Sequence, residues 1–545
     1  MKKNTETKKG VKIVKSILSI LFVVLSVMLV YLLVWAKYTF GNIPFAQVLF
    51  HLMVPLEGTD SSIISSYFYG VLPWVCLTLG IMIVIGVTHY LAADYFAKDN
   101  EQDSEQDDDQ ADNQDENEIE ADKEESKKGI KAVFGKALRG VLLVNRFLVR
   151  NKMRLASVIL IIVLIVDVFG FGIHSWLIDR FDSSSLFEDY YVDASKANIK
   201  APEKKKNLIY ILSESLEASF TDFENGGCMD KNYMPNLTQL AMENTHFSRN
   251  ESMAGAIEVE GTGWTIAAMV AQTSGVPLML PIGRNGYGKY GEFLPGVTSL
   301  GEILEENGYV NEIIIGSNRE FAGVDTYFEQ HGDYEVYDLN TAIENGYVKE
   351  HNGFWGVDDI DVMKIARDEI NELAAGDQPF SIIVNTIDLH TPSGYTCREC
   401  RYQTADKYKN VIYCQDRLIA EFVAWCKEQD FYEDTVIVVM GDHLSMAPVV
   451  NNEYMPDGYL RSTYNAIINS DLEAVNPTNR DFTTMDIFPT ILASLGFEIE
   501  GDRLGLGTNL YSDKKTVMEL VGRKKFMEEI SKNSKLYNKD ILGTR

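Results

Sequence analysis

Thr435-Val-Ile-Val-Val-Met440, followed at once by Gly441-Asp442-His443, decides the fold, and Asn207-Leu-Ile-Tyr-Ile-Leu212, followed by Ser213-Glu214, is its counterpart far upstream. Apolar runs of this length read as parallel strands buried on both faces, and open α/β sheets carry their chemistry just beyond the strands' carboxyl ends. A carboxylate leaving one such strand and an Asp-His pair leaving another can therefore serve one site. Between the two runs, residues 235–245, 300–307, 361–374 and 409–428 have helical periodicity, whereas 311–315 and 380–387 read as strands. The alternation predicts an α/β fold with a mostly parallel central sheet and helices on both faces.

Upstream of this region the pattern changes. The chain has 545 residues, too many for one ordinary domain, and is 46% hydrophobic. Residues 16–36, 71–93 and 155–177 are each about as long and apolar as a membrane-spanning helix requires. The first is too long for a signal-peptide core and no Ala-x-Ala-like site follows it, so a retained anchor is expected. Lysines between Lys2 and Lys15 precede the first run, and basic residues between Lys127 and Arg154 crowd the approach to the third. By the positive-inside rule both segments are cytoplasmic, which places the large C-terminal region outside a multi-pass cell-membrane protein. Asp167, inside the third run, is expected to face other helices, with His89 or His174 as packing partners.

The expected organisation is a membrane segment over 1–97, an acidic loop and basic juxtamembrane stretch over 98–150, and a third span over 151–180. A linker over 181–206, a catalytic domain over 207–512 and a tail over 513–545 follow. Residues 101–125, rich in Asp, Glu, Gln and Asn, lack the apolar surface to offset ordering entropy and are expected to be disordered. They supply much of the net charge of −29, and the basic residues cluster beside the membrane, so no nucleic-acid partner is expected. Cys397 and Cys400 form half of a zinc-knuckle spacing without a second pair. A local disulfide, or one from either residue to Cys414, fits an oxidising compartment better.

Glu214 offers a hard anionic ligand, and Asp442 and His443 can each present an electron pair to the same ion. Gly261-Thr262-Gly263-Trp264-Thr265 opens a helical pattern, and its glycines allow close backbone approach, so the Thr262 hydroxyl is placed to cap the helix or to meet an anion at its N-terminus.

Taken in order, Glu214, Thr262, His390 in Asp-Leu-His-Thr-Pro, and Gly441-Asp442-His443 resemble the lipoteichoic acid synthase and phosphoglycerol transferase family of the alkaline phosphatase/sulfatase-like superfamily. Residues 46–58 (AQVLFHLMVPLEG), 261–277 (GTGWTIAAMVAQTSGVP), 319–323 (REFAG) and 503–507 (RLGLG) look like the membrane phosphoglycerol transferases that decorate periplasmic glucans. The resemblance implies that Glu214, Thr262, Asp442 and His443 hold one divalent metal, Mn²⁺ first with Mg²⁺ or Zn²⁺ as alternatives. It also implies that Thr262 is the nucleophile and that His390 binds the phosphoglycerol head. A phosphatidylglycerol donor, a glycan or glycolipid acceptor and a covalent threonine intermediate follow from it.

The sequence departs from the family in one telling place. Val324 stands where lipoteichoic acid synthases carry an arginine, leaving Arg319 either as the substrate-binding cation or in a surface salt bridge. That departure, and three spans instead of five, favour single transfer over a polyglycerolphosphate polymerase. Phosphoethanolamine transfer is a second alternative of the same superfamily. A sulfatase would need Cys or Ser in a Cys/Ser-x-Pro-x-Arg context after Glu214, which is absent. Trp264 and Trp355 are placed either in the core or beside the head group.

Overall fold

The computed structural model describes residues 2–41, 43–53, 61–105, 118–279, 292–349 and 356–543. Two compact units share the chain: Met1–Trp35 with Ser61–Gly170, and Ala36–Asp60 with Phe171–Arg545. The first unit consists of long helices, α1 (Lys2–Phe40) as far as Trp35, α3 (Ser61–Glu105) and α4 (Glu118–Gly170), and the last turn of α1 belongs to the second unit. Their segments Gly10–Phe40, Ile64–Leu91 and Arg139–Gly170 are long and apolar enough to cross a membrane. Polar pins tie them together: Trp35 Nε1 donates to Ser66 Oγ at 3.0 Å, and the Asn145 side-chain amide donates to the Ile85 carbonyl at 3.1 Å.

The third apolar helix ends at Gly170, earlier than the expected 177, because Gly172 (φ 68°) turns the chain before α5 (Ile173–Phe181). Both ends of the acidic tract are helical, since α3 runs to Glu105 and α4 starts at Glu118. The middle of the tract, 106–117, lies outside the described residues. Asp167 is buried, and neither carboxylate oxygen has a hydrogen-bond partner among the described residues, so the contact expected with His89 or His174 is not a hydrogen bond.

The second unit is built on six strands: β1 (Asn207–Ser213), β2 (Val310–Ile315), β3 (Glu335–Tyr337), β4 (Phe380–Asn385), β5 (Thr435–Gly441) and β6 (Asn465–Ile468). They lie in the order β3-β2-β4-β1-β5-β6, parallel throughout except for β6, which runs antiparallel to β5. Alternation within β1 sends Leu208, Tyr210 and Leu212 into one hydrophobic cluster and Ile209 and Ile211 into another, so both faces of the sheet are covered. Each such side chain contributes roughly 1.5–3 kcal/mol by burial, enough to hold the strands against the unpaired polar groups collected at their ends.

One face carries α6 (Thr265–Ser274), of which all but the first residue are buried. The other carries α7 (Asp359–Ala374) and α8 (Lys407–Lys427), each starting two residues before its expected boundary. Asp406 explains the earlier start of α8, because its carboxylate caps the helix by accepting from the N–H groups of Tyr408 and Lys409.

Of the stretch 513–545, set apart as a tail in the sequence, the described residues 513–543 pack into the same core. Phe526, Ile530, Tyr537 and Ile541 are buried in the larger cluster, and the Tyr537 hydroxyl donates to the Pro277 carbonyl at 2.7 Å. Cys397 Sγ lies 3.6 Å from both Cys400 Sγ and Cys414 Sγ, within reach of either partner that the spacing allowed.

Candidate metal centre and active site

Register assembles the site. Ser213 of β1 lies opposite Gly441 of β5, so Glu214 and Asp442 leave neighbouring parallel strands at the same level. Gly441 is required there: a Cβ would come within 1.9 Å of the Leu216 carbonyl oxygen, backbone that cannot step aside. Directly after Glu214, Ser215 adopts a left-handed conformation (φ 53°), a cost tolerated at functional turns, and its N–H donates to Asp442 Oδ1 at 2.7 Å.

Glu214, Asp442 and His443 are buried, and one ligand atom from each lies within 4.8 Å of the others. His443 Nε2 is 3.6 Å from Glu214 Oε1 and 3.4 Å from Asp442 Oδ2, too far for hydrogen bonds yet close enough to surround a common point. Asp442 Oδ1 accepts from two N–H groups, whereas buried Oδ2 has no hydrogen-bond partner among the described residues. His443 Nδ1 is 2.9 Å from the Leu444 carbonyl, an arrangement that keeps a proton on Nδ1 and makes Nε2 the nitrogen that a cation would take in place of a proton. Burial pushes Asp442 up to about 8, with His443 pulling the other way. Burial works against the charged form of His443, but Asp442 and Glu214 hold it up at about 9. Two carboxylates and an imidazole around one point, with an orphaned oxygen among them, fit a divalent cation held by Glu214, Asp442 and His443.

The threonine at this cluster is Thr265. Its Oγ1 lies 3.4 Å from Glu214 Oε2 and 3.5 Å from His443 Nε2, and it stands at the N-terminus of α6, where the helix dipole favours negative charge. The assignment of Thr262 is corrected: its hydroxyl donates back to the Val259 carbonyl at 2.9 Å and accepts from the Val259 N–H at 3.0 Å, closing a local turn. A threonine whose hydroxyl holds the loop's backbone is not free to serve as a metal ligand and nucleophile.

Glu258 is a carboxylate that sequence reasoning missed. Its Oε2 accepts from the Leu444 N–H at 2.8 Å, and burial raises its pKa while His443 lowers it. The nearby Glu217–Arg461 pair steadies the loop after β5: the Ser445 N–H donates to Glu217 Oε1 at 2.8 Å, and Arg461 donates to the Ser445 carbonyl at 2.7 Å.

His390 follows β4, next to β1 in the sheet, with its Nδ1 2.8 Å from the Thr391 carbonyl. Arg319 is committed elsewhere: its guanidinium donates to the Val336 carbonyl and lies 3.7 Å from Asp338, which ties the chain after β2 to the edge strand. The expectation that it binds substrate finds no counterpart in these contacts. Trp264 is buried beside Phe50, while Trp355 lies outside the described residues.

A mostly parallel α/β sheet with a candidate divalent-cation site at its strand ends defines a class of protein. Residues 206–497 match the family model described as Sulfatase, and the chain belongs to that family. The protein named "Phosphoglycerol transferase I" from Xanthomonas campestris pv. campestris (strain B100) is 31% identical over 318 residues, covering 57% of this chain and 43% of its own. Its namesake from Escherichia coli (strain 55989 / EAEC) is 32% identical over 345 residues, covering 61% and 42%. The chain therefore spans less than half the length of these relatives. The crystal structure of the lipoteichoic acid synthase LtaP from Listeria monocytogenes is similar over 58% of this chain and 79% of that one, with 19% identity and a TM-score of 0.46.

Proposed function

We propose that the protein is a membrane-anchored phosphoglycerol transferase that moves sn-glycerol 1-phosphate from phosphatidylglycerol to an envelope glycan or glycolipid through a covalent intermediate on Thr265. The observation that carries this reading is the Thr265 hydroxyl at the mouth of the Glu214/Asp442/His443 cluster. The name shared by the curated relatives supports the head group, and the three long apolar helices suit a donor confined to a bilayer.

The chemistry balances in two halves. The Thr265 oxygen bonds to phosphorus, the bond from phosphorus to the diacylglycerol oxygen breaks, and the threonine proton ends on diacylglycerol. An acceptor hydroxyl then bonds to the same phosphorus, the bond from phosphorus to the Thr265 oxygen breaks, and the acceptor's proton ends on that oxygen. A divalent ion, Mn²⁺ in the first instance with Mg²⁺ or Zn²⁺ as alternatives, would lower the hydroxyl pKa and neutralise charge on the phosphodiester. The N-terminus of α6 favours the developing negative charge on Thr265, and the Glu217–Arg461 pair holds the His443 loop in place. His390 supplies a hydrogen bond to the head group.

Incubating the full chain with labelled phosphatidylglycerol and mapping the trapped adduct by mass spectrometry tests this reading. A glycerophosphate increment on Thr265 is the expected result; an increment on Thr262, or none, would overturn it. An increment of phosphoethanolamine from the corresponding lipid would replace the head group. Polymeric product would point to the polymerase alternative.

A further inference from the structure

The segment joining the first two apolar helices belongs to the same compact unit as the catalytic residues. Its short helix α2 (Phe45–Met53) buries Phe50 completely, with the ring 5.6 Å from that of Trp264, the residue before Thr265. The Gln47 side-chain amide donates to Met446 Sδ at 3.2 Å, three residues after His443, and the Thr391 hydroxyl donates to the Thr39 carbonyl at 3.1 Å, next to His390. One connecting segment thus touches the flanks of three site-bearing loops.

Two polar side chains meet at this junction. Trp264 is 3% exposed, and its indole N–H has no partner among the described residues. His51 is partly buried, edge-on to Phe50 at 5.5 Å and stacked at 6.2 Å on Phe321. Phe50 contacts both rings, so the imidazole and the unpartnered indole N–H lie beside one aromatic side chain. A segment that merely packed would offer apolar side chains here, since a buried N–H without a partner costs about 1–3 kcal/mol.

We infer that His51 is a positioning residue for the donor: with the Trp264 N–H, it hydrogen-bonds the hydroxyls of the glycerol head. This rests on the transferase reading above. Burial first, and His390 second, push the His51 pKa down to about 4, so the ring is neutral at physiological pH. A neutral imidazole offers one donor and one acceptor, the pair that a vicinal diol requires, and it adds no cation to a phosphate already served by the metal centre. The site is therefore composite, completed by a segment far from the catalytic loops in sequence.

The full chain in detergent is assayed, with its activating metal, on two soluble diesters, glyceryl p-nitrophenyl phosphate and methyl p-nitrophenyl phosphate. For H51A we expect KM for the glyceryl diester to rise about tenfold, with kcat and the methyl diester within about twofold of wild type. H51Q, which keeps one donor and one acceptor, recovers part of the loss. If H51A does not fold, W264F, which removes only the N–H, carries the test and should raise the glyceryl KM several-fold. Equal losses on both diesters would reduce the segment to a scaffold, and unchanged KM for both would remove His51 from the site; either result overturns the inference alone. A wild-type protein inactive on phosphatidylglycerol and on the glyceryl diester would instead overturn the transferase reading, and this inference with it.

Discussion

Two groups of carboxylates occupy one sheet. In the middle, Glu214 and Asp442 leave β1 and β5 beside His443 and Thr265. At the edge, Glu312 of β2 lies opposite Glu335 of β3, and with Glu369 and Arg319 they line a cavity of about 340 Å³. Burial raises Asp442 to about 8 and Glu312 likewise to about 8, yet the relief differs. In the centre, Glu214 adds to the shift but His443 opposes it more strongly, and its Nε2, the Asp442 oxygen and a hydroxyl converge on one point. At the edge, Glu369 and Glu335 push Glu312 further in the same direction, so the group is relieved by taking a proton. A cluster of acids becomes a reaction centre when a nitrogen ligand and a nucleophile share its focus.

The largest effect should separate the two threonines. T265A is expected to lower diacylglycerol release at least a thousandfold, whereas T262A, which loses only the turn to Val259, stays within a few-fold and melts about 2–4 °C lower. Comparable losses in both would return the nucleophile to doubt. Next comes the metal: Mn²⁺ at 100 times its Kd should stabilise the wild type by about 2.7 kcal/mol, seen as a rise in Tm, and D442N should lose that rise. A rise in D442N equal to that of the wild type would put the ion elsewhere.

A smaller change is expected at the edge. R319A should cost about 1–2 kcal/mol by leaving the Val336 carbonyl without its guanidinium donor and removing the cation beside Asp338, with KM for the lipid unaltered; a KM effect without destabilisation would restore Arg319 as a substrate ligand. The smallest effect concerns Glu312. Between the ordinary Glu value of 4.5 and about 8, the folded protein keeps a proton that the unfolded chain has lost, so stability falls as pH rises through that window. E312Q, which cannot ionise, should raise Tm by about 2–4 °C at pH 7.5 and leave it unchanged at pH 4. A pH-independent offset would mean that Glu312 is ionised in the fold.

The sheet and the metal cluster were legible because parallel strands buried on both faces must be apolar without interruption, so the polar residue that ends each run marks the catalytic edge. The choice between Thr262 and Thr265 was not. Both stand in the same glycine-spaced loop, and only the turn that folds the Thr262 hydroxyl onto Val259 decides which one is free. The signal available was position: Thr265 begins the helical pattern, where a side chain meets the helix's positive end. Arg319 misled because a cation beside a family-like motif reads equally as a phosphate ligand or as the pin of an edge strand. His51 and the residues after 513 escaped because their contacts join segments hundreds of residues apart, and no local periodicity records such a meeting.

The helix that begins with Thr265 ends at Gly275, a left-handed cap (φ 66°) where a Cβ would come within 2.8 Å of the Leu504 carbonyl oxygen. The Gly275 carbonyl accepts from the Leu506 N–H at 2.8 Å, and Gly505 lies against the same backbone. The Arg503–Gly507 turn therefore works as a stop at the rear of a helical strut about 15 Å long whose front carries the Thr265 hydroxyl. A side chain added at Gly275 or Gly505 would slide the strut along its axis. Activity would then fail from a change at the far end of the helix, with every ligand of the metal centre still in its place.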